Sequence, residues 1–424
     1  MTIHFEPFDS AWRNDPYGAY RQLRDEAPIH RSPQSGTWCV SRYDDVVSVL
    51  KDPDTFSSRA MFTVLMNGGS DKPPPLNWDG IKFLVRFAWR VRVNVLNFGK
   101  ERMLIAADGK PHSSLRTIVN RGFTPRRITS WEPRVRSLTE ELLAPLRAGE
   151  PFDVVHDLAT PLPVTLIAEM LGVEPERMRE FKSWSDEIIA GSSGPKRTTY
   201  PDPPHPDTAA ALEALATYLS RTIRERRKAP GDDLISTLLA SQDGDAALTT
   251  FEVVQFVMLL LVAGNETTTN LIGNAVRALL DHPDERAALA LDPARVPLVM
   301  EETLRFNAPV QMVFRSATCD TQLAETAIPK GATVAAILGS ANRDERRFPD
   351  ADQFQPGRDT RGHLGFGFGA HFCLGAALAR LEATSALEAL APLLPQLECA
   401  DAERVWLDSF LVRGPTRLRL REAA

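Results

Sequence analysis

The sequence predicts a mainly α fold with a minor β part (α+β), and three observations carry that prediction. From about Trp131 to Leu291, Ala, Leu, Glu and Arg recur at helical spacing, broken only by proline and glycine. β-like runs are few and short. No internal repeat or low-complexity linker divides the 424 residues, which read as a single domain spanning 1–424.

Taken in order, Pro28–Ser32 and Thr37–Ser41 flank a Pro33–Gly36 turn and predict a hairpin. Gly191–Pro206, rich in Ser, Pro and Gly, predicts a long loop. A helix from about Thr249 to Leu280 is unusually long and largely apolar, as suits a helix crossing the middle of the molecule. Another starts near Ala294 and must end before Pro309. Thr333–Leu338 is a β-branched apolar run, followed by a turn-rich segment to Gly369 and a final long helix after Cys373. The tail, Phe410–Leu420, predicts a hairpin around Gly414–Pro415.

Bulk composition narrows the function. Hydrophobic residues make up 43% and charged residues 25%, enough to fill a large core. A net charge of −6 argues against nucleic acid as a partner. Met1–Ser10 has no apolar core, so neither a signal nor a stable membrane anchor is expected there, and a cytoplasmic protein is predicted. The most apolar run, Val253–Gly264, is shorter than the about 20 residues a membrane span needs. Four cysteines, Cys39, Cys319, Cys373 and Cys399, lie far apart without a CxxC pair, which supports neither a disulfide framework nor a zinc site.

The most informative segment is Gly365-Phe-Gly-Phe-Gly-Ala-His-Phe-Cys-Leu-Gly375. Gly365, Gly367 and Ala370 fit a dinucleotide fingerprint, but that motif needs a buried strand before it. The chain there reads Gln355-Pro-Gly-Arg-Asp-Thr-Arg-Gly362, which is loop. The better reading is a thiolate loop. A cysteine sulfur bound to haem iron donates electron density that favours O–O cleavage. It needs backbone N–H donors, a dry surround and the positive end of a helix. Glycines let the backbone fold tightly around such a sulfur, and the helix is expected to start at the cysteine.

Phe366, Gly369, Cys373 and Gly375, in the order F-x2-G-x3-C-x-G, resemble the haem-binding signature of the cytochrome P450 family. The resemblance runs from Tyr17–Arg24 to the C-terminal tail and is nearest to soluble bacterial members. It implies the cytochrome P450 fold with the long helix over the haem, haem b as cofactor, Cys373 as axial thiolate to the iron, and Phe366 and Gly369 as haem-loop residues. Glu302 and Arg305 share a helix face, a spacing that alone says little, since Glu176 and Arg179 repeat it. The resemblance joins them with Arg358 into a charge cluster ordering the thiolate side of the haem. Polar residues within a buried apolar helix need a reason, and Ala263-Gly-Asn-Glu-Thr-Thr268 supplies several. A hydroxyl bond from Thr267 to the carbonyl of Ala263 would bend the helix. By resemblance, Thr267 steadies the distal oxygen while Glu266 helps relay protons to it. His112, Arg116, Arg315 and His371 match the positions that bind the haem propionates.

The implied reaction inserts one atom of O2 into a hydrophobic substrate by hydroxylation or epoxidation. Electrons come ultimately from NAD(P)H through a ferredoxin and ferredoxin reductase, or a flavodoxin-type donor, because 424 residues leave no room for a reductase domain. The resemblance places Ala263, Val310, Met312, Val313, Phe410 and Leu411 at the substrate pocket and implies a monomer. Two other readings compete: a peroxide-driven haem oxidase, disfavoured by the Glu266–Thr267 pair, and a non-catalytic haem sensor or carrier. One departure from the family is the long interval from Ser58 to His112, in which Lys82, Arg86 and Arg90 form a basic stripe beside aromatic residues. It reads either as a solvated helix face or as a lid attracting anionic or amphipathic substrates.

Overall fold

The computed structural model describes residues 3–67, 77–90, 102–192, 206–240 and 247–423. Most of the predicted Gly191–Pro206 loop lies outside these residues. The chain divides into two compact units. The first comprises residues 1–57, 125–163 and 266–424, and the second residues 58–124 and 164–265.

In the first unit the predicted hairpin forms, with Ile29–Arg31 antiparallel to Trp38–Val40. Trp38–Val40 then pairs in parallel with Thr333–Ala336, which is antiparallel to Val313–Ala317, and Phe56–Ser57 closes the five-stranded sheet. Val40, Val334, Ala336 and Leu338 pack with Val46, Val49 and Leu50 of the helix Tyr43–Lys51 into a dry cluster. The β-branched run is thus a strand because it fills a sheet interior, burying its side chains from water. Helices Val296–Phe306 and Ala376–Leu390 pack against each other, and the latter also packs against Pro125–Arg147.

The tail departs from expectation. The backbone reverses between Leu407 and Gly414, not at Gly414–Pro415: Leu407 N–H donates to the Gly414 carbonyl and Thr416 N–H to that of Val405. Gly414 packs so tightly on Asn270 that an added Cβ would overlap its side-chain atoms, so this glycine serves a close approach rather than a turn. The final strand, Arg419–Glu422, pairs instead with Leu397–Cys399 and Phe152–Asp153.

Among its described residues the second unit is helical, built from Arg59–Asn67, Trp78–Arg90, Gly109–Asn120, Met178–Ser192, Pro206–Lys228, Leu234–Leu239 and Thr250–Leu259. Thr249 opens the last of these with a capping box: its hydroxyl accepts the Glu252 N–H while Glu252 accepts the Thr249 N–H. The long helix continues to Asp281 and is long and apolar enough to cross a membrane. Some of its polar groups bond to protein: Thr269 Oγ1 donates to the Ala159 carbonyl, and Asn274 Nδ2 to the carbonyls of Asn307 and Arg413. It packs as a core helix.

Candidate haem-thiolate site

The cysteine loop is shaped by close approach. Gly367 and Gly369 take φ values of +73° and +71°, where a side chain is strained. A Cβ on Gly369 would also stand 2.8 Å from the Leu50 carbonyl oxygen, and one on Gly365 2.6 Å from that of Leu304. Within the loop Gly367 N–H donates to the Leu364 carbonyl at 2.9 Å and Cys373 N–H to that of Phe366 at 2.9 Å. Leu364 N–H donates to Asn342 Oδ1 at 2.6 Å, pinning the loop's start. The helix begins at Ala376 with Gly375 as its cap, three residues later than the predicted start at the cysteine. The glycine-rich turn uses those residues to bring the backbone round. The N-terminal end of that helix remains within a turn of the sulfur.

Cys373 is partly exposed, and its neighbour Phe372 is 42% exposed, an apolar ring left uncovered by protein. The other cysteines differ. Cys39 is fully buried, and burial pushes its thiol well up into the inert range. Cys399 accepts from Arg277 Nη1 at 3.4 Å, and Cys319 is on the surface.

Beneath the loop, Glu302 and Arg305 have no solvent-exposed side-chain surface. They pair through two parallel bonds of 2.7 Å, from Arg305 Nε to Glu302 Oε2 and from Nη2 to Oε1. Arg305 also donates to the carbonyls of Asn342, Ala351 and Gln353 at 2.8–3.0 Å. Arg358 Nε lies 3.1 Å from Glu302 Oε1 and its other donors hold the Pro349, Asp350 and Gln353 carbonyls. Gln355 N–H completes the set on Glu302 at 2.8 Å. The structure therefore brings the three predicted cluster residues together, with nearly every donor used on backbone of the turn-rich segment.

The long helix breaks its pattern where polar residues were predicted to bend it. Leu260–Gly264 forms a π-helical turn just ahead of Asn265–Asp281, which carries Glu266 and Thr267. Around it, Met258, Leu259, Leu260 and Val262 are only half-buried and Ala263 is exposed, although the flanking turns are core. Glu266 and Thr267 are half-buried, whereas the next residue, Thr268, is buried.

His112 and Arg116 sit on one face of Gly109–Asn120 in the second unit, His112 buried and Arg116 partly so. Burial, then the Arg116 charge, lowers the His112 pKa below its ordinary value, favouring neutral imidazole. Arg315 and His371 belong to the first unit, Arg315 buried on the strand Val313–Ala317, His371 in the cysteine loop. Of the pocket residues, Val310 bridges Val412, Gln311 N–H donates to the Leu411 carbonyl, and Phe410 stacks edge-on against Phe314. Val310, Val313, Phe410 and Leu411 are thus neighbours with partly open side chains, while Met312 is packed away at 2% exposure. Ala263 belongs to the second unit.

Arg86 and Arg90 lie 3.5 and 3.0 Å from the same carboxylate, Glu213 of Pro206–Lys228, and Lys82 reaches Asp79 at 3.0 Å. The stripe ties one helix to another, which leaves little of its charge to attract a substrate. Trp89, predicted to lie on the aromatic face, is 80% exposed.

Sequence reading missed two carboxyl sites. Glu301 accepts from His363 Nε2 at 2.8 Å and from Arg380 Nε at 2.5 Å. Glu382 is buried in the helix after the cysteine and bonded to the Thr268 hydroxyl. Neither pairing has a local signal, since the partners stand 62 or more residues apart in sequence.

These residues fit a haem. A partly exposed sulfur stands on a turn that glycines alone permit, near a helix N-terminus and beside a partly exposed aromatic ring, in the same unit as the buried Glu302–Arg305–Arg358 cluster. Comparisons with known proteins agree. The family described as Cytochrome P450 matches residues 85–290 and 296–390. Cytochrome P450 107B1 of Saccharopolyspora erythraea is 36% identical, over 98% of this chain and 97% of its own length. The vitamin D(3) 25-hydroxylase of Pseudonocardia autotrophica is 37% identical, over 98% of this chain and 96% of its own. Among solved structures, CYP109Q5 from Chondromyces apiculatus matches with a TM-score of 0.83 at 37% identity, covering 100% of this chain and 99% of that one. CYP109E1 from Bacillus megaterium, in complex with corticosterone, matches at 0.80 and 33%, covering 98% of this chain and 100% of that one.

Proposed function

We propose that this chain, which belongs to the cytochrome P450 family and is a haem monooxygenase, holds haem b through Cys373 and acts as one catalytic domain over residues 1–424. The observation that carries the ligand assignment is the position of Cys373. Among the four cysteines it alone stands on a strained glycine turn at the start of a helix, its N–H bonded to the Phe366 carbonyl and its loop pinned where Leu364 N–H donates to Asn342 Oδ1. Phe366 and Gly369 shape that loop. His112, Arg116, Arg315 and His371 would take the propionates, since they combine cationic and N–H donors.

When bound, the haem supplies the activation of O2, one atom of which enters a substrate C–H or C=C bond. The chain supplies the rest. Glu266 and Thr267, half-buried on the turn after the π-helical break, would hold and relay protons at the Glu266 carboxyl and the Thr267 hydroxyl. Val310, Val313, Phe410 and Leu411 would offer an apolar lining in the first unit, with Met312 behind them in the core, and Ala263 is the residue that the long helix would add. Relatives named for vitamin D(3) and solved with corticosterone support a hydrophobic substrate of the steroid or terpenoid kind. In this reading electrons reach the site from NAD(P)H through a separate ferredoxin and reductase, in the cytoplasm.

The test is the absorption spectrum of the reduced, carbon-monoxide-bound protein. A strongly red-shifted Soret band is expected, and Cys373→His should abolish it. A folded protein that takes up no haem when supplied with it would overturn the reading.

A further inference from the structure

The Glu302 cluster does not reach the cysteine loop directly, and a second network does. His363 donates from Nε2 to Glu301 Oε2 at 2.8 Å, while its Nδ1 accepts the N–H of Gly365 at 3.1 Å. Both ring nitrogens are thereby assigned: neutral imidazole with its proton on Nε2 satisfies the two bonds at once. Gly365 is itself pressed against the Leu304 carbonyl, so the loop's first residue is held from two sides.

The same Glu301 receives Arg380 through Nε at 2.5 Å and Nη2 at 3.1 Å. That guanidinium lies 4.5 Å from the centroid of the Phe366 ring, a cation–π distance. Phe366 is the residue whose carbonyl accepts the Cys373 N–H at 2.9 Å. Two chains therefore run from one carboxylate to the cysteine: Glu301–His363–Gly365, next to Phe366 in sequence, and Glu301–Arg380–Phe366–Cys373. The His363 side chain is 7% exposed, Glu301 26% and Arg380 34%, so only His363 is sealed from water. Burial would raise the Glu301 pKa, but hydrogen bonds from His363 and Arg380 outweigh it and hold the carboxyl down to about 2. The anchor is charged whenever the protein is folded near neutrality.

We infer that Glu301, His363 and Arg380 form a second brace on the cysteine loop, acting through Gly365 and Phe366 as positioning residues that fix where the Cys373 sulfur stands. The inference rests on the reading of Cys373 as the iron ligand. Outer-shell partners of a metal ligand commonly orient it and tune its donor strength. Here the brace reaches the ligand through backbone and a ring rather than by touching the sulfur. A loosened loop would let the sulfur protonate or leave the metal, and its reduction potential would drift with sulfur position.

The experiment compares the haem-loaded wild-type protein with His363→Phe, His363→Gln and Arg380→Leu. Its readouts are the reduction potential and the rate at which the reduced carbon-monoxide complex loses its red-shifted band. Phenylalanine keeps bulk but has neither donor nor acceptor. Glutamine keeps one of each and should restore wild-type behaviour. We expect His363→Phe to lose the band about tenfold faster, with Arg380→Leu moving in the same direction. Unchanged potential and band lifetime in both His363→Phe and Arg380→Leu would overturn the inference, as would a His363→Gln as defective as His363→Phe. If His363→Phe fails to fold, Arg380→Leu decides alone, because its side chain is one-third exposed and its loss leaves the core intact. Failure of the underlying reading is distinguishable, since wild-type protein would then show no red-shifted band at all.

Discussion

Glu301 and Glu382 stand on two helices that pack together, Val296–Phe306 and Ala376–Leu390, yet their carboxyls are in opposite states. Glu301 is ringed by His363 and Arg380 and stays ionised, held down to about 2. Glu382 is 2% exposed, and burial raises it to about 8 against a small opposing pull from the Thr268 hydroxyl. Among the described residues no charged group bears on Glu382, and one of its oxygens has no hydrogen-bond partner. Burial alone does not decide charge; partners do. The side of the site beneath the cysteine loop is an ionic network, whereas the contact between the cysteine's helix and Thr268 runs on a neutral acid.

The sharpest break of this contrast lies in the ionic network. Glu302→Leu alone leaves Arg305 buried and unpaired, and urea unfolding should show a loss of about 3–5 kcal/mol. Joining it with Arg305→Leu should recover part of that loss, because no charge is then stranded. A double variant as unstable as the sum of the singles would show that the carbonyl bonds of Arg305, rather than the pair, carry the region.

Next in size is Glu382. Its native pKa stands above the ordinary 4.5, so the folded chain binds the proton more tightly than the unfolded chain. Stability present below 4.5 is therefore lost as pH rises through about 8, at no more than about 1.4 kcal/mol per pH unit. Glu382→Gln, always neutral, should flatten that alkaline limb in urea titrations. An unchanged limb would mean that the acid is ionised or solvated after all.

Glu301 should behave with the opposite sign. Its depressed pKa means stability present above 4.5 and lost as pH falls through about 2. Glu301→Gln should flatten the acid limb, by less than Glu382→Gln flattens the alkaline one, because a quarter of the Glu301 side chain meets water. The smallest effect belongs to the exposed end of the scale. Replacing Arg86 and Arg90 by alanine removes two ion pairs to Glu213, with side chains 66% and 42% exposed. Thermal unfolding should register less than about 1 kcal/mol, vanishing at high salt. A large, salt-dependent loss of substrate binding would instead restore the lid reading of that helix.

Much of the site was legible because its signals are local. Glycines at 365, 367 and 369 mark backbone that no side chain tolerates, and Glu302 with Arg305 share a face by helical spacing. The polar run at 263–268 announced a break in the long helix, and a π-helical turn at Leu260–Gly264 stands just ahead of it. The tail hairpin was misplaced because Gly414 and Pro415 look like turn residues, whereas Gly414 is a glycine for want of space beside Asn270.

The residue order by itself determined the mainly helical class and the cysteine turn, since each depends on backbone sterics or on neighbours within a few positions. It put Glu302 and Arg305 on one helix face, and the family resemblance singled that pair out. Only the tertiary structure decided which of the two glutamates, Glu301 and Glu382, carries a charge. His363 and Arg380 stand 62 and 79 positions from Glu301, and Thr268 reaches Glu382 from another helix. Ionisation answers to the field of whatever folding brings near, and that distance is not written along the chain.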